Sequence, residues 1–169
     1  WPLYEKLAHI PLMIAAPGVK GGRSIKELTQ SVDLLPTFLD LCKAKKPGRK
    51  MHGHSLRPLL RGRGARWPRR NAFSSTFIRN GGPTVTDKRW SYIAYGERDD
   101  KPELYDLRLD PGQKRNVIRK ERSVADRMRK TLDGFLASVE TPEENLDLLG
   151  PVGGLTLRKY SEVFLSTDA

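Results

Sequence analysis

Side chains able to do chemistry are sparse in this sequence. The candidates for metal binding, nucleophilic attack or proton transfer are Cys42, the histidines His9, His52 and His54, and the adjacent carboxylates Asp99 and Asp100. A lone thiol can form neither an internal disulfide nor a cysteine-rich metal site. Cys42 falls on the apolar side of a predicted helix, which makes it a buried structural thiol. Asp99-Asp100 sits beside Glu97 and Lys101 in a predicted hairpin turn and reads as a solvated turn. His9 opens an apolar strand and is read as a structural histidine. His52 and His54 flank Gly53 in a loop, and a metal there would need further ligands close by. The sequence shows none. On residue chemistry alone no catalytic, cofactor-binding or metal-ligating position is assigned.

The charge is more informative than the reactive groups. The 169 residues carry a formal net charge of +11. Between Lys43 and Arg70 lie eleven basic residues and no acidic one, so this stretch equals the whole net charge. Such a run attracts polyanions: nucleic acid, anionic lipid or sulfated glycan. A solvated connecting loop, rich here in Gly and Pro, would show the same pattern. Aromatic platforms for stacking single-stranded bases are few, which does not favour nucleic acid. No apolar run approaches the roughly 18 residues of a membrane-spanning helix; the longest, Ile10 to Ala16, contains Pro11. Apolar content is 37%, so the core is expected to be thin.

These side chains need elements to hold them. His9 to Ala16 is a nearly continuous apolar run stopped by Pro17-Gly18, the pattern of a strand covered on both faces in a parallel sheet. A helix is predicted from about Asp33 to Lys43, with Asp33 as N-cap and Pro36 in the first turn. Leu35, Phe38, Leu39 and Cys42 share one face, expected to be buried. A short helical piece spans Ser55 to Leu60. The period then becomes two. Strands are predicted at Ala72 to Ile78, from Thr84 to Thr86, through Trp90 to Tyr95 with Trp90 and Tyr92 on one face, and from Glu103 to Leu107. Asp110-Pro111-Gly112 is a turn. Ser123 caps a second helix ending near Val139, with Val124, Met128, Leu132, Phe135, Leu136 and Val139 at helical spacing. The order therefore gives an α/β fragment: the end of a parallel-sheet α/β layer (1–45), a basic linker (46–70), an α+β subdomain with an antiparallel sheet and C-terminal helix (71–140), and a tail (141–169).

Four blocks of this order resemble the sulfatase family of the alkaline phosphatase superfamily. Leu3-Tyr4-Glu5 with Ile10-Pro11-Leu12-Met13-Ile14 and Ala16-Pro17-Gly18 is similar to the family's LYE…PLI…PG segment. Ser31-Val32-Asp33-Leu34-Leu35-Pro36-Thr37-Phe38-Leu39-Asp40 resembles its S-x-V-D-L-x-P-T helix. Gly53-His54-Ser55-Leu56-Arg57-Pro58-Leu59-Leu60 resembles G-x-S-L-x-P-L-L. Trp90-Ser91-Tyr92-Ile93, followed by Glu103-Leu104-Tyr105-Asp106-Leu107 and Asp110-Pro111, resembles W-K-Y-I…E-L-Y-D-L-x-x-D-P. The resemblance covers about residues 1 to 140 and identifies a scaffold better than a site.

The resemblance implies a sulfuric ester hydrolase, of which this chain is a C-terminal part that is inactive alone. It implies a formylglycine nucleophile made from C/S-x-P-x-R and a calcium ion on oxygen ligands. Cys42, followed by Lys43-Ala44-Lys45, does not fit that motif, and the metal ligands are expected in a missing N-terminal half. Where many members carry a substrate-facing His or Arg, this chain reads Gly82-Pro83-Thr84-Val85-Thr86. A sulfated small molecule or glycan is the implied substrate, and a periplasmic, secreted or lysosomal site the implied location. Phosphate or phosphonate ester hydrolysis in the same superfamily, and a non-catalytic polyanion-binding module, are the other readings.

Overall fold

The computed structural model describes residues 4–48, 50–64, 67–74, 83–94 and 101–139. The chain divides into two compact units, one of residues 1–9 with 73–169 and one of residues 10–72.

The first unit opens with helix α1 (Glu5–Ala8) and is built on a sheet of β1 (Ala72–Ser74), β2 (Thr84–Thr86), β3 (Trp90–Ile93) and β4 (Glu103–Asp106), in the order β1-β2-β3-β4. Asp87 sets the β2–β3 register. Its Oδ1 accepts the backbone N–H groups of Arg89 (2.7 Å) and Trp90 (2.6 Å), a side-chain turn that leaves Thr86 opposite Ser91. β3 and β4 pair antiparallel with Trp90 opposite Asp106 and Ile93 opposite Glu103. Trp90, Tyr92 and Ala94 share one face, as their spacing predicts, and form the core with Val85 and Leu104.

Helix α4 (Arg122–Ser138) completes that core with Ala125, Met128 and Leu132. Val124 and Leu136 pack at its margin, and Phe135 stacks on Phe73 with ring centroids 3.8 Å apart. The antiparallel sheet and the closing helix are thus as the sequence predicts. Ser123 is not the cap: the helix starts at Arg122 with Glu121 at the N-cap position and no side-chain cap bond. The predicted end of β1 at Ile78, Tyr95 of the third strand, the Asp99-Asp100 turn and the tail from 141 lie outside the described residues.

The second unit holds a 3₁₀ turn (Ser31–Asp33), helix α2 (Leu34–Leu41) and helix α3 (Arg57–Leu60). α2 stops because Lys43 takes a left-handed conformation, φ 55°, and the N–H of Ala44 turns back onto the carbonyl of Leu39 at 2.8 Å. The core is small: Leu56, Leu59 and Trp67, with Ile14 against them.

Two expectations fail here, and in the same direction. The run from His9 to Ala16 is no strand, and Ile10, Leu12 and Met13 face solvent, Ile10 at 71% and Met13 at 92% exposure, while Ile14 alone packs on the small core. On α2 the buried residues are Pro36 and Thr37; Leu35 and Phe38 are exposed, and Cys42 is exposed rather than buried. The physical reason is common to both. A strand needs neighbours to satisfy its backbone groups, and an apolar stripe needs a surface to cover it. Neither partner is present among the described residues.

Candidate functional site

The carboxylate of Asp33 is a densely connected polar site. It is fully buried, with 0% exposure. Asp33 does stand at the N-cap position of α2, as the sequence predicts, but its side chain makes no cap bond to that helix. Instead Oδ2 accepts the N–H of Gln30 (2.8 Å) and Nε of Arg69 (3.2 Å), while Oδ1 accepts the N–H of His54 (2.8 Å) and Nη2 of Arg69. Arg69 also donates to Oε1 of Gln30 at 2.8 Å. A buried carboxylate is tolerated only when its charge is matched and its lone pairs are used, and both conditions are met.

The segment Gly53–Arg57 is laid along α2 by a series of such contacts. Gly53 presses on the backbone of Val32. His54 N–H reaches Asp33. Ser55 Oγ donates to Oδ2 of Asp40 at 2.7 Å. Leu56 N–H donates to Oγ1 of Thr37 at 2.9 Å, and that hydroxyl in turn donates to the carbonyl of Asp33. Arg57 Nη1 donates to Oδ1 of Asp40 at 2.7 Å. The Ser55 hydroxyl and then Arg57 hold the Asp40 carboxyl below its ordinary pKa. The two sequence blocks Ser31–Asp40 and Gly53–Leu60 are therefore the two sides of one latch. The sequence shows both blocks, but nothing in their spacing shows that they bind each other. Arg69, one of the eleven cations of the basic run, is a structural cation.

In the first unit a second buried carboxylate, Glu103, accepts the hydroxyls of Tyr4 (3.1 Å) and Tyr105 (2.9 Å) on Oε2. The two tyrosine rings meet edge to face, 6.0 Å apart. Burial, and then the bond to Glu103, push the Tyr105 hydroxyl far above its ordinary pKa. Both phenols donate to the one carboxylate, so this cluster fixes the Tyr4-Glu5 lead-in to the sheet. Glu5 N–H adds a bond to Oε1 of Gln113 at 2.6 Å.

The histidines separate. His9 is 80% exposed on its side chain, 3.4 Å from Glu5, and opens no strand. His52 is exposed. The His54 ring packs edge-on against Trp67 at 5.8 Å, and the Trp67 indole N–H donates to the carbonyl of Leu28 at 2.7 Å. Among the described residues no three His, Cys, Asp or Glu side chains converge. They furnish no calcium site, and Cys42 lies outside any nucleophile motif. Pro83, Thr84, Val85 and Thr86 are all buried, and no cation at these four positions faces solvent. Beside the latch lies an open cleft of about 510 Å³, lined by Pro36, Lys46, Met51, His54, Ser55 and Trp67 among others.

Comparison with known proteins shows the family. Residues 2–139 match the family model "N-sulphoglucosamine sulphohydrolase, C-terminal", and the chain belongs to that sulfatase family. It is similar to arylsulfatase K of Canis lupus familiaris, 31% identical over 134 residues, covering 70% of this chain and 24% of the relative. Among solved structures it is similar to a 2-O GAG sulfatase, with a TM-score of 0.63 and 28% identity over 73% of this chain and 28% of that one. A phosphonate monoester hydrolase of Agrobacterium radiobacter shares the fold, with a TM-score of 0.54 and 22% identity over 65% of this chain and 25% of that one. The chain spans about a quarter of the length of these relatives.

In the described part of the chain, no helix is long and apolar enough to cross a membrane.

Proposed function

We propose that this chain works as the C-terminal part of an enzyme that hydrolyses sulfate esters. The observation that carries the reading is the family match over residues 2–139. The latch adds a physical reason: Gly53–Leu60 and Ser31–Asp40, two of the four blocks that resemble sulfatases, are the segments that hold each other in place. In this reading residues 1–45 end the α/β layer of the parent, 46–70 link it, 71–140 form the subdomain with the antiparallel sheet, and 141–169 are a tail. The parent covers the stripe of Leu35 and Phe38 and the apolar run of Ile10 to Met13. Formylglycine and calcium belong to the part of the enzyme that this chain does not supply, and the chain by itself is inactive. A sulfated sugar is the substrate class, in keeping with the 2-O GAG sulfatase to which the chain is similar.

Phosphonate ester hydrolysis is the second reading, since a phosphonate monoester hydrolase shares the fold. The test is turnover by the full reading frame containing this chain, expressed in a host that makes formylglycine. An aryl sulfate and a phenyl phosphonate monoester are compared. Preference for the sulfate in kcat/KM supports the first reading; preference for the phosphonate replaces it with the second.

A further inference from the structure

The basic run divides by what its members do. Arg57 and Arg69 are consumed by the latch, paired with Asp40 and Asp33. Lys43, Lys45, Lys46 and Lys50 are exposed, and none of their side chains makes a hydrogen bond among the described residues. They lie where the backbone is least held. Every residue from Cys42 to Gly48 is exposed. Helix α2 ends with the Ala44 N–H on the Leu39 carbonyl, and among the described residues the backbone from Lys45 to Gly48 makes no hydrogen bond to other backbone. A segment held by neither burial nor hydrogen bonds opens at almost no free-energy cost, which is what a protease needs to draw it, extended, into its active site. Proteases of the trypsin class also require Lys or Arg before the scissile bond, because an aspartate in the specificity pocket takes the cation. Pro47 shields the bond after Lys46, since this class does not accept proline behind the cut. The Lys45–Lys46 bond has no such protection.

The contacts around this bond survive its loss. Cutting it leaves one piece ending at Lys45 and another beginning at Lys46. The latch joins the two: Asp33, Thr37 and Asp40 lie on the first, His54 to Arg57 and Arg69 on the second. The Trp67 indole on the Leu28 carbonyl crosses the same gap, and so does Arg23 Nη1, which donates to the Leu60 carbonyl at 3.0 Å. In the other unit Tyr4 and Glu5, on the first piece, are held by Glu103 and Gln113 on the second. We propose that the exposed corner at Lys45–Lys46 is a proteolytic processing site for a trypsin-class serine protease, and that the cut protein persists as a two-chain form held together by the latch. The reaction is hydrolysis: water adds across the amide, the Lys45 carbonyl becomes a carboxylate and the Lys46 nitrogen leaves as an ammonium. None of the joining contacts contains the severed bond. The proposal is independent of the reaction that the parent catalyses.

Two measurements test it. Terminal-amine mass spectrometry of the protein isolated from its native source should find a chain that begins at Lys46; an intact junction in every molecule would overturn the proposal. Protein expressed from the full reading frame is then treated with trypsin. The Lys45–Lys46 bond should be cut at least about tenfold faster than the bond after Lys130, which is also exposed but lies within α4. The two pieces should co-elute in size-exclusion chromatography in buffer and separate in denaturing urea. Equal cutting rates, or pieces that separate in buffer, would overturn the proposal. Lys45→Gln, with circular dichroism unchanged, should abolish the chain that begins at Lys46. Its persistence in that variant would assign the cut to a protease of another class and overturn the proposal as well.

Discussion

Gly53 lies so close to Val32 that a Cβ on Gly53 would stand 1.8 Å from the Val32 carbonyl oxygen and 3.0 Å from the N–H nitrogen of Asp33. That approach lets the next residue, His54, place its N–H on the Asp33 carboxylate. Gly53→Ala is expected to spread the latch and destabilise the chain by about 3 kcal/mol, at the upper end of overpacking costs. Gly48→Ala, with open space around the position, is the control and should change stability by less than about 0.5 kcal/mol. Urea denaturation of both variants measures the difference.

The Asp33–Arg69 pair is the electrostatic counterpart of that packing. Asp33→Ala strands a nearly buried guanidinium and is expected to cost about 3–5 kcal/mol. Arg69→Met alone should cost a similar amount, since it strands the carboxylate. The double variant should cost clearly less than the two singles added, because no charge is then left unpaired. A double-mutant cycle by chemical denaturation checks this. Additive losses would mean that the two side chains do not act as a pair.

Acid should act on this chain through particular carboxylates. The Ser55 hydroxyl and Arg57 hold Asp40 below its ordinary 3.8, and Arg89 does the same for Asp106. Carboxyls with a lowered folded pKa contribute stability that is complete above the unfolded value and is lost as pH falls through the folded one. Stability should therefore decline below about pH 4, and Asp40→Asn and Asp106→Asn should each reduce the decline. Asp133 runs the other way. Burial raises its pKa, and its Oδ1 is buried without a hydrogen-bond partner among the described residues. A carboxyl whose folded pKa is raised loses stability as pH rises through that value. Asp133→Asn should thus raise the melting temperature at neutral pH, with the gain shrinking toward pH 4. Melting curves over pH measure both signs.

The period-two strands and the α4 stripe were legible because their partners are local: Trp90, Tyr92 and Leu104 pair in adjacent strands, and Met128 and Leu132 close over them. The stripe of Leu35, Phe38 and Cys42 was equally legible as a pattern, yet it faces solvent. Periodicity tells which side chains want cover; it does not tell where the cover is. The Asp33 site was not legible at all. Its donors come from Gln30, His54 and Arg69, three places that only the folded backbone brings together.

That uncovered stripe supplies a readout of the parent's assembly. Cys42 is exposed in this chain. If the parent enzyme covers α2, the Cys42 thiol should react with a maleimide much more slowly in the full reading frame than in the isolated chain. Mass spectrometry of the Cys42 peptide follows the two rates. Equal rates would show that this face stays open and that the stripe has no partner in the parent.

In the proposed function these residues are a working part of a sulfatase and carry none of its chemistry alone. Inorganic sulfate released from an aryl sulfate, measured by ion chromatography, tests it most directly. The full reading frame, with formylglycine confirmed by mass spectrometry, should release sulfate catalytically, while the isolated chain of residues 1–169 should release none above background. A correctly modified full-length protein that leaves the ester intact, or an isolated chain that cleaves it, would contradict the account.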